Sequence, residues 1–184
     1  MTTLNLSEKD TAYQTSIGFV YAPGTGQVCD ATTEYMGARW SSGVSIPSDA
    51  TITSCVFSMV PDSSTKDEPL HDFYFVEQAA PAAWTTGGGS YDLRDRPKTT
   101  ATVRWDNTNL GYSSGETYYS PGDMSALLQE VVDSQGALTA VALICHGNSS
   151  LRDLAFGNYN AKLDITWPGG DAPKTSRLAL LGVN

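Results

Sequence analysis

Cysteine, histidine and basic side chains are all scarce in this sequence. Its 184 residues hold three Cys, two His and 11 Lys plus Arg, against 20 Asp plus Glu. Cys29, Cys55 and Cys145 are an odd number with no CxxC pair, which argues against a disulfide framework and against a zinc site. Cys55 and Cys145 lie in apolar, strand-like runs, where a free thiol behaves as a small hydrophobe, so a reduced interior is expected. His71 and His146 sit in no nucleophile–base motif and GxSxG is missing, so both are expected to be solvated or core residues and no hydrolase is expected. A formal charge of −9 with no local cluster of Lys and Arg repels nucleic acid.

Other absences narrow the field further. Nowhere do eighteen apolar residues run together, so no membrane-spanning helix is expected. Met1 to Asp10 is polar and has no basic segment followed by an apolar one, so no secretory signal is expected and synthesis belongs to a cytoplasm. Gly87-Gly88-Gly89 is not followed by Lys-Ser or Lys-Thr, and a phosphate loop is not expected. The alternating Asp and Asn with a distal Glu that cradles calcium is missing. The pairs Asp92 with Asp95 and Asp67 with Glu68 therefore read as solvated loop charge, and neither a metal nor a cofactor is expected. The run from Asp92 to Pro97 mixes signs, so it is either a loop locked by Arg forks on carboxylates or an exposed charged loop.

What the sequence does contain is period-two hydrophobicity, punctuated every ten or so residues by Gly, Pro, Ser, Asp and Asn. The clearest strand is Thr51 to Val60, with Ile52, Cys55 or Val56, Phe57 and Met59 on its buried side, after the turn Ile46-Pro47-Ser48-Asp49. Further strands are expected at Ile17–Tyr21, Met36–Trp40, Asp72–Glu77, Thr100–Trp105, Ala137–His146 and Ala161–Trp167. Ala101, Val103 and Trp105 should share a face. Leu138 to Cys145 is nearly all apolar and should be a central strand covered on both sides.

One segment has helical spacing. Met124, Leu127, Leu128, Val131 and Val132 fall at i, i+3, i+4, i+7 and i+8, with Asp123 as N-cap and Gly136 as the stop, giving a short helix at about 123–133. Asp62–Leu70 and Ala79–Lys98 are long, polar and Gly-rich, and are expected to be loops over one end of the sandwich. Trp84, Tyr91, Tyr112, Tyr118 and Tyr119 fall in loop-like segments and are candidate exposed binding rings. After the hinge Pro168 to Pro173, residues 176–183 turn apolar. Arg177, Leu178, Leu180, Leu181 and Val183 make a candidate subunit-interaction arm that needs a groove, its own or a neighbour's.

Three stretches resemble a known family. Gly37-Ala38-Arg39-Trp40 with Ser45 to Phe57 resembles the opening of a DNRLRE-like jelly-roll family related in shape to carbohydrate-binding modules. Tyr119 to Val132 is similar to its helix, and Leu138–Cys145 with Phe156–Trp167 to its closing strands. Trp40 stands where that family usually has a Phe-Asp pair, and the stretch Asp62–Lys98 is long for it. The resemblance covers about Tyr13 to Trp167 and implies an all-β jelly-roll sandwich of two antiparallel sheets; the domain is expected over residues 1–167, with 168–184 as a hinge and arm outside it.

Members of the family occur as modules of secreted enzymes and as components of bacteriophage particles. The first expectation is therefore a non-enzymatic virion protein, a phage capsid decoration or cement protein or a tail component, made in the host cytoplasm. Its partners would be major capsid or tail subunits, and it would be a homo-oligomer such as a trimer. The alternative is a glycan-binding module or adhesin that uses Trp84, Tyr112, Tyr118 and Tyr119 as a stacking platform. Neither nucleic acid nor membrane is an expected partner.

Overall fold

The computed structural model describes residues 2–6, 10–21, 27–28, 33–60, 70–89, 91–106, 115–147, 155–156 and 161–168. In chain order these form β1 (Thr2–Leu6), β2 (Asp10–Gln14), β3 (Val20–Tyr21), β4 (Gln27–Val28), β5 (Tyr35–Trp40), β6 (Ser54–Met59) and β7 (Leu70–Phe75). Then come the one-turn helix α1 (Asp92–Asp95), β8 (Val103–Asp106), β9 (Tyr118–Tyr119), α2 (Ser125–Gln135), β10 (Val141–Gly147), β11 (Ala155–Phe156) and β12 (Lys162–Trp167). One sheet has the order β1-β12-β6-β9 and the other β3-β2-β5-β10-β7-β8, with β11 and β4 as a separate pair. All pairings are antiparallel. The chain crosses from sheet to sheet between β5, β6 and β7 and again between β9, β10 and β12. This crossing is the jelly-roll habit within an all-β sandwich.

Alternation builds the core. Met36, Ala38 and Trp40 of β5, Phe73 and Phe75 of β7, and Val141, Leu143 and Cys145 of β10 point at Cys55, Phe57 and Met59 of β6 and Leu163, Ile165 and Trp167 of β12. Phe57 from one sheet meets Phe73 and Trp105 from the other, with ring centroids 5.6 and 6.3 Å away. Helix α2 packs against β6 of one sheet and β7 of the other, so its apolar stripe of Leu127, Leu128, Val131 and Val132 extends the core along the gap between the sheets. It starts at Ser125, two residues later than its sequence suggests. Asp123 instead accepts the Ser125 N–H at 2.9 Å and the Cys55 N–H at 2.7 Å, tying the helix start to β6. Gly136 ends the helix at φ +79°, donating to the Val132 carbonyl.

Strand β10 is central and covered on both faces, as its apolar run requires. Its inward side chains join the main core. Ala142 and Ile144 face outward into a second core with Ala12, Val20, Val76, Trp84 and Leu93. That second core corrects one expectation: the described residues of the stretch, 79–89 and 91–98, are a strap across the outer face of the six-stranded sheet, not a loop over one end. Other differences are local. Strand β3 is shorter than Ile17–Tyr21 because Thr15 to Gly18 form a turn, with Gly18 at φ +78°. Ala101 is exposed ahead of β8, while Val103 and Trp105 do face the core. Strands β1 and β2 arise in a stretch whose polar sequence suggested none. The segment 62–69 and Cys29 lie outside the described residues. Cys55 and Cys145 are buried free thiols, and burial pushes the Cys55 pKa well up, with Asp123 and Asp164 adding to it.

Candidate functional site

The strap is held by a network at its aromatic residues. The Trp84 indole N–H donates to the Asp10 carbonyl at 3.1 Å, and the Arg96 guanidinium lies 4.3 Å from the centre of the Trp84 ring. Arg96 forks onto Asp92 (3.1 and 2.8 Å) and donates to the carbonyls of Ala82 and Ala83 at 2.8 Å each. Both members of the pair are largely covered, with side chains 8% and 18% exposed. Asp92 also accepts the Thr85 N–H, and Gln14 accepts the N–H groups of Leu93 and Arg94. Of the two readings of this charged run, the locked loop is the one realised.

Trp84 is therefore a correction, because it is buried at 9% exposure and is not an exposed binding ring. Tyr91 is half-buried, with the Arg94 guanidinium 3.7 Å from its ring centre and Gly18 against it. Tyr118 is half-buried against the main core and donates to Glu116 at 3.1 Å, whereas Tyr119 is 62% exposed. Trp84 lies on the six-stranded sheet, and Tyr118 and Tyr119 sit at the edge of the other, so these rings do not form one platform. Tyr112 and the arm residues Arg177, Leu178, Leu180, Leu181 and Val183 lie outside the described residues, as do Asp67 and Glu68.

A different constellation appears where the strap stops. Register aligns Tyr35 of β5, His146 of β10, Asp72 of β7 and Arg104 of β8 in one row across four adjacent strands. The inward positions next to them, Met36, Cys145, Phe73 and Trp105, belong to the core, so pleating turns the row outward. Tyr35 and His146 stack with centroids 4.4 Å apart and 13° between planes. Arg104 donates to both oxygens of Asp72, from Nε at 2.9 Å and Nη2 at 3.1 Å. Tyr74, two residues along β7 from Asp72, completes the group. Its pKa is pushed up by burial first and then by Asp72 and Tyr35, with Arg104 opposing, so these side chains share one neighbourhood. The Lys98 ammonium lies 5.8 Å from the Tyr35 ring centre.

Sequence reading missed this row because its members come from four strands distant in the chain. The available signal was the run His71-Asp72-Phe73-Tyr74-Phe75, in which Phe73 and Phe75 take the core and leave Asp72 and Tyr74 on the other face. His71 itself is fully buried, opposite Trp105 and Gly147. Asp92 is engaged by Arg96, and Asp95 by Arg94, whose hydrogen bond lowers the Asp95 pKa. Among the described residues no group of three or more His, Cys, Asp and Glu is placed to hold a metal, and no helix is long and apolar enough to cross a membrane.

The large exposed apolar side chains among the described residues are Ile17 (78%), Phe19 (37%) and Tyr119 (62%). Ile17 lies in the turn before β3 and Phe19 between that turn and β3, an edge strand of the six-stranded sheet. Tyr119 lies in β9, an edge strand of the four-stranded one.

No protein-family model matches the chain, and no curated protein matches it. Among solved structures it is similar to the coat protein of Tobacco streak virus, at 12% identity over 97% of this chain and 94% of that one, with a TM-score of 0.31. A likeness that loose decides neither fold nor function.

Proposed function

We propose that the protein is a non-enzymatic structural component of a virus particle, a phage capsid decoration or cement protein or a tail component, and that it works by contact alone. The observation that carries this reading is the placement of the exposed apolar side chains. Ile17 and Phe19 at one sheet edge and Tyr119 at an edge of the other give a rigid body two adhesive margins. The family resemblance in the sequence points the same way.

The partner is a major capsid or tail subunit with an apolar surface and a basic rim, since a chain of net charge −9 is drawn to positive surfaces. A contact of about 800 Å² or more per partner forms only in the assembled state and so stabilises that state selectively. A homo-oligomer such as a trimer at a lattice axis multiplies the contact through avidity. The apolar sequence around Leu178, Leu180, Leu181 and Val183 supplies a further contact by adding a strand to a neighbouring subunit. The protein resides in the virion after synthesis in the host cytoplasm.

Peptide mass spectrometry of purified particles tests this reading. The chain is expected in fixed stoichiometry with the coat or tail subunit, and removal of residues 174–184 is expected to lower its occupancy. Particles free of the chain would overturn the reading.

A further inference from the structure

We propose that the outer face of α2 is the seat of this chain's own apolar segment, residues 176–183, which docks there before any partner is met. The seat itself does not need the virion reading. Its consequence, release of the segment to a neighbouring subunit on assembly, rests on that reading.

Ala126, Gln129, Glu130, Asp133 and Ser134 line a shallow groove of about 580 Å³ on the side of α2 opposite its buried stripe. That volume is within the range of about 300–1,000 Å³ usual for ligand clefts. The polar ends of these side chains are already engaged. Gln129 accepts the Ile52 N–H at 2.7 Å and donates to the Ala50 carbonyl at 3.2 Å and to Asp133 at 2.7 Å. Glu130 accepts the N–H groups of Thr100 and Ala101 on the other flank, and the Ser134 hydroxyl donates to the Val131 carbonyl at 3.3 Å. With those groups spent, the floor offers the Ala126 methyl and the aliphatic stems of Gln129 and Glu130. A polar ligand finds few bonds to make there, whereas an apolar segment gains by leaving water.

Two observations select the occupant. The first is where the described chain ends. Thr53 donates its N–H to the Thr166 carbonyl at 2.8 Å, and the next residue, Ile52, is the one bonded to Gln129. The last residues of β12 thus lie beside one flank of the groove. Residues 169–175 span up to roughly 23–25 Å when extended, and α2 is only about 16 Å long. The linker therefore reaches the whole face.

The second is charge. Helix α2 carries Glu130 and Asp133 and no basic residue, whereas residues 172–184 carry Lys174 and Arg177 and no acidic one, in a chain whose net charge is −9. The one basic, leucine-rich stretch thus begins beside an acidic rim around an apolar floor. Docking there keeps Leu178, Leu180, Leu181 and Val183 from drawing free chains together before assembly.

Amide hydrogen exchange of the full chain, read by NMR, is the test. Amides of residues 176–183 are expected to exchange about tenfold or more below the unfolded rate, and dilution should not change this. Ala126→Lys and Asp133→Lys, both at exposed positions of the helix, should each raise the exchange of that segment while β10 stays protected. Leu180→Asp with Leu181→Asp should do the same and move the amides of Ala126, Gln129 and Asp133. Tyr119→Ser, on an edge strand, should alter none of these. Exchange at the unfolded rate in the parent chain overturns the proposal. So does protection that the helix variants leave intact, protection lost on dilution, which would place the segment on a second copy, or α2 amides unmoved by the leucine changes. A chain that shows the docked segment but is missing from purified particles keeps this seat and loses the virion reading. A chain found in particles with the segment unprotected when free does the reverse.

Discussion

The Trp84 indole occupies the space that a side chain at position 37 would fill. A Cβ on Gly37 would stand 2.7 Å from Trp84 Cζ2 and 2.9 Å from Cη2, both inside contact distance. The strap over the six-stranded sheet therefore depends on a glycine in the middle of β5, where glycine otherwise weakens a strand.

Gly37→Ala is expected to push Trp84 off the sheet and cost about 1–3 kcal/mol, the usual range for overpacking. Denaturant unfolding followed by tryptophan fluorescence checks it. In the double variant with Trp84→Leu the alanine should cost less than it does alone, because the clash partner is smaller. Equal costs in the two backgrounds would show that Trp84 does not pack on Gly37.

Arg96→Ala removes the fork on Asp92 and the donors to the Ala82 and Ala83 carbonyls, and leaves a mostly covered carboxylate behind. The expected loss is about 3 kcal/mol, in the range for breaking a buried pair. Hydrogen exchange should rise first in residues 79–98 while β6, β7 and β10 stay protected, because the strap rests on its own second core. Uniform loss of protection would contradict a separately anchored strap.

Glu130 accepts the N–H groups of Thr100 and Ala101 at 2.6 and 3.1 Å, and these bonds lower its pKa. A carboxylate depressed in the folded state adds stability that is fully present above its unfolded pKa of about 4.3 and is lost as pH falls through the lower folded value. Thermal melts taken from neutral to acid pH should therefore fall less steeply below about pH 4.3 for Glu130→Gln than for the parent chain. Superimposable acid limbs would rule out this clamp.

These predictions divide along what the sequence makes legible. Strands β5, β6, β10 and β12 and helix α2 announce themselves because their apolar spacing is imposed by one continuous core. Strand β2 does not, since Asp10 to Gln14 reads as polar. It forms because Ala12 meets the strap and Tyr13 the main core. The burial of Trp84 is invisible for a related reason: its socket is the bare backbone of Gly37, far away in sequence. The outward row of Tyr35, Asp72, Arg104 and His146 is set by strand register, which brings these residues side by side only after β10 inserts between β5 and β7.

The apolar margins are expected to matter for assembly and not for folding. Ile17→Ser and Tyr119→Ser alter exposed side chains, so each should change stability by no more than about 0.5 kcal/mol. A larger loss in a melt of either single variant would mean that these side chains pack within their own chain.

The measurement that bears most directly on a contact-only role is particle stability with and without the bound chain. Particles carrying the protein should withstand heating that disrupts particles lacking it, and re-addition of the purified chain should restore the difference. The folded double variant Ile17→Ser with Tyr119→Ser should fail to restore it. Particles equally stable in both forms, or fully rescued by that variant, would contradict the account.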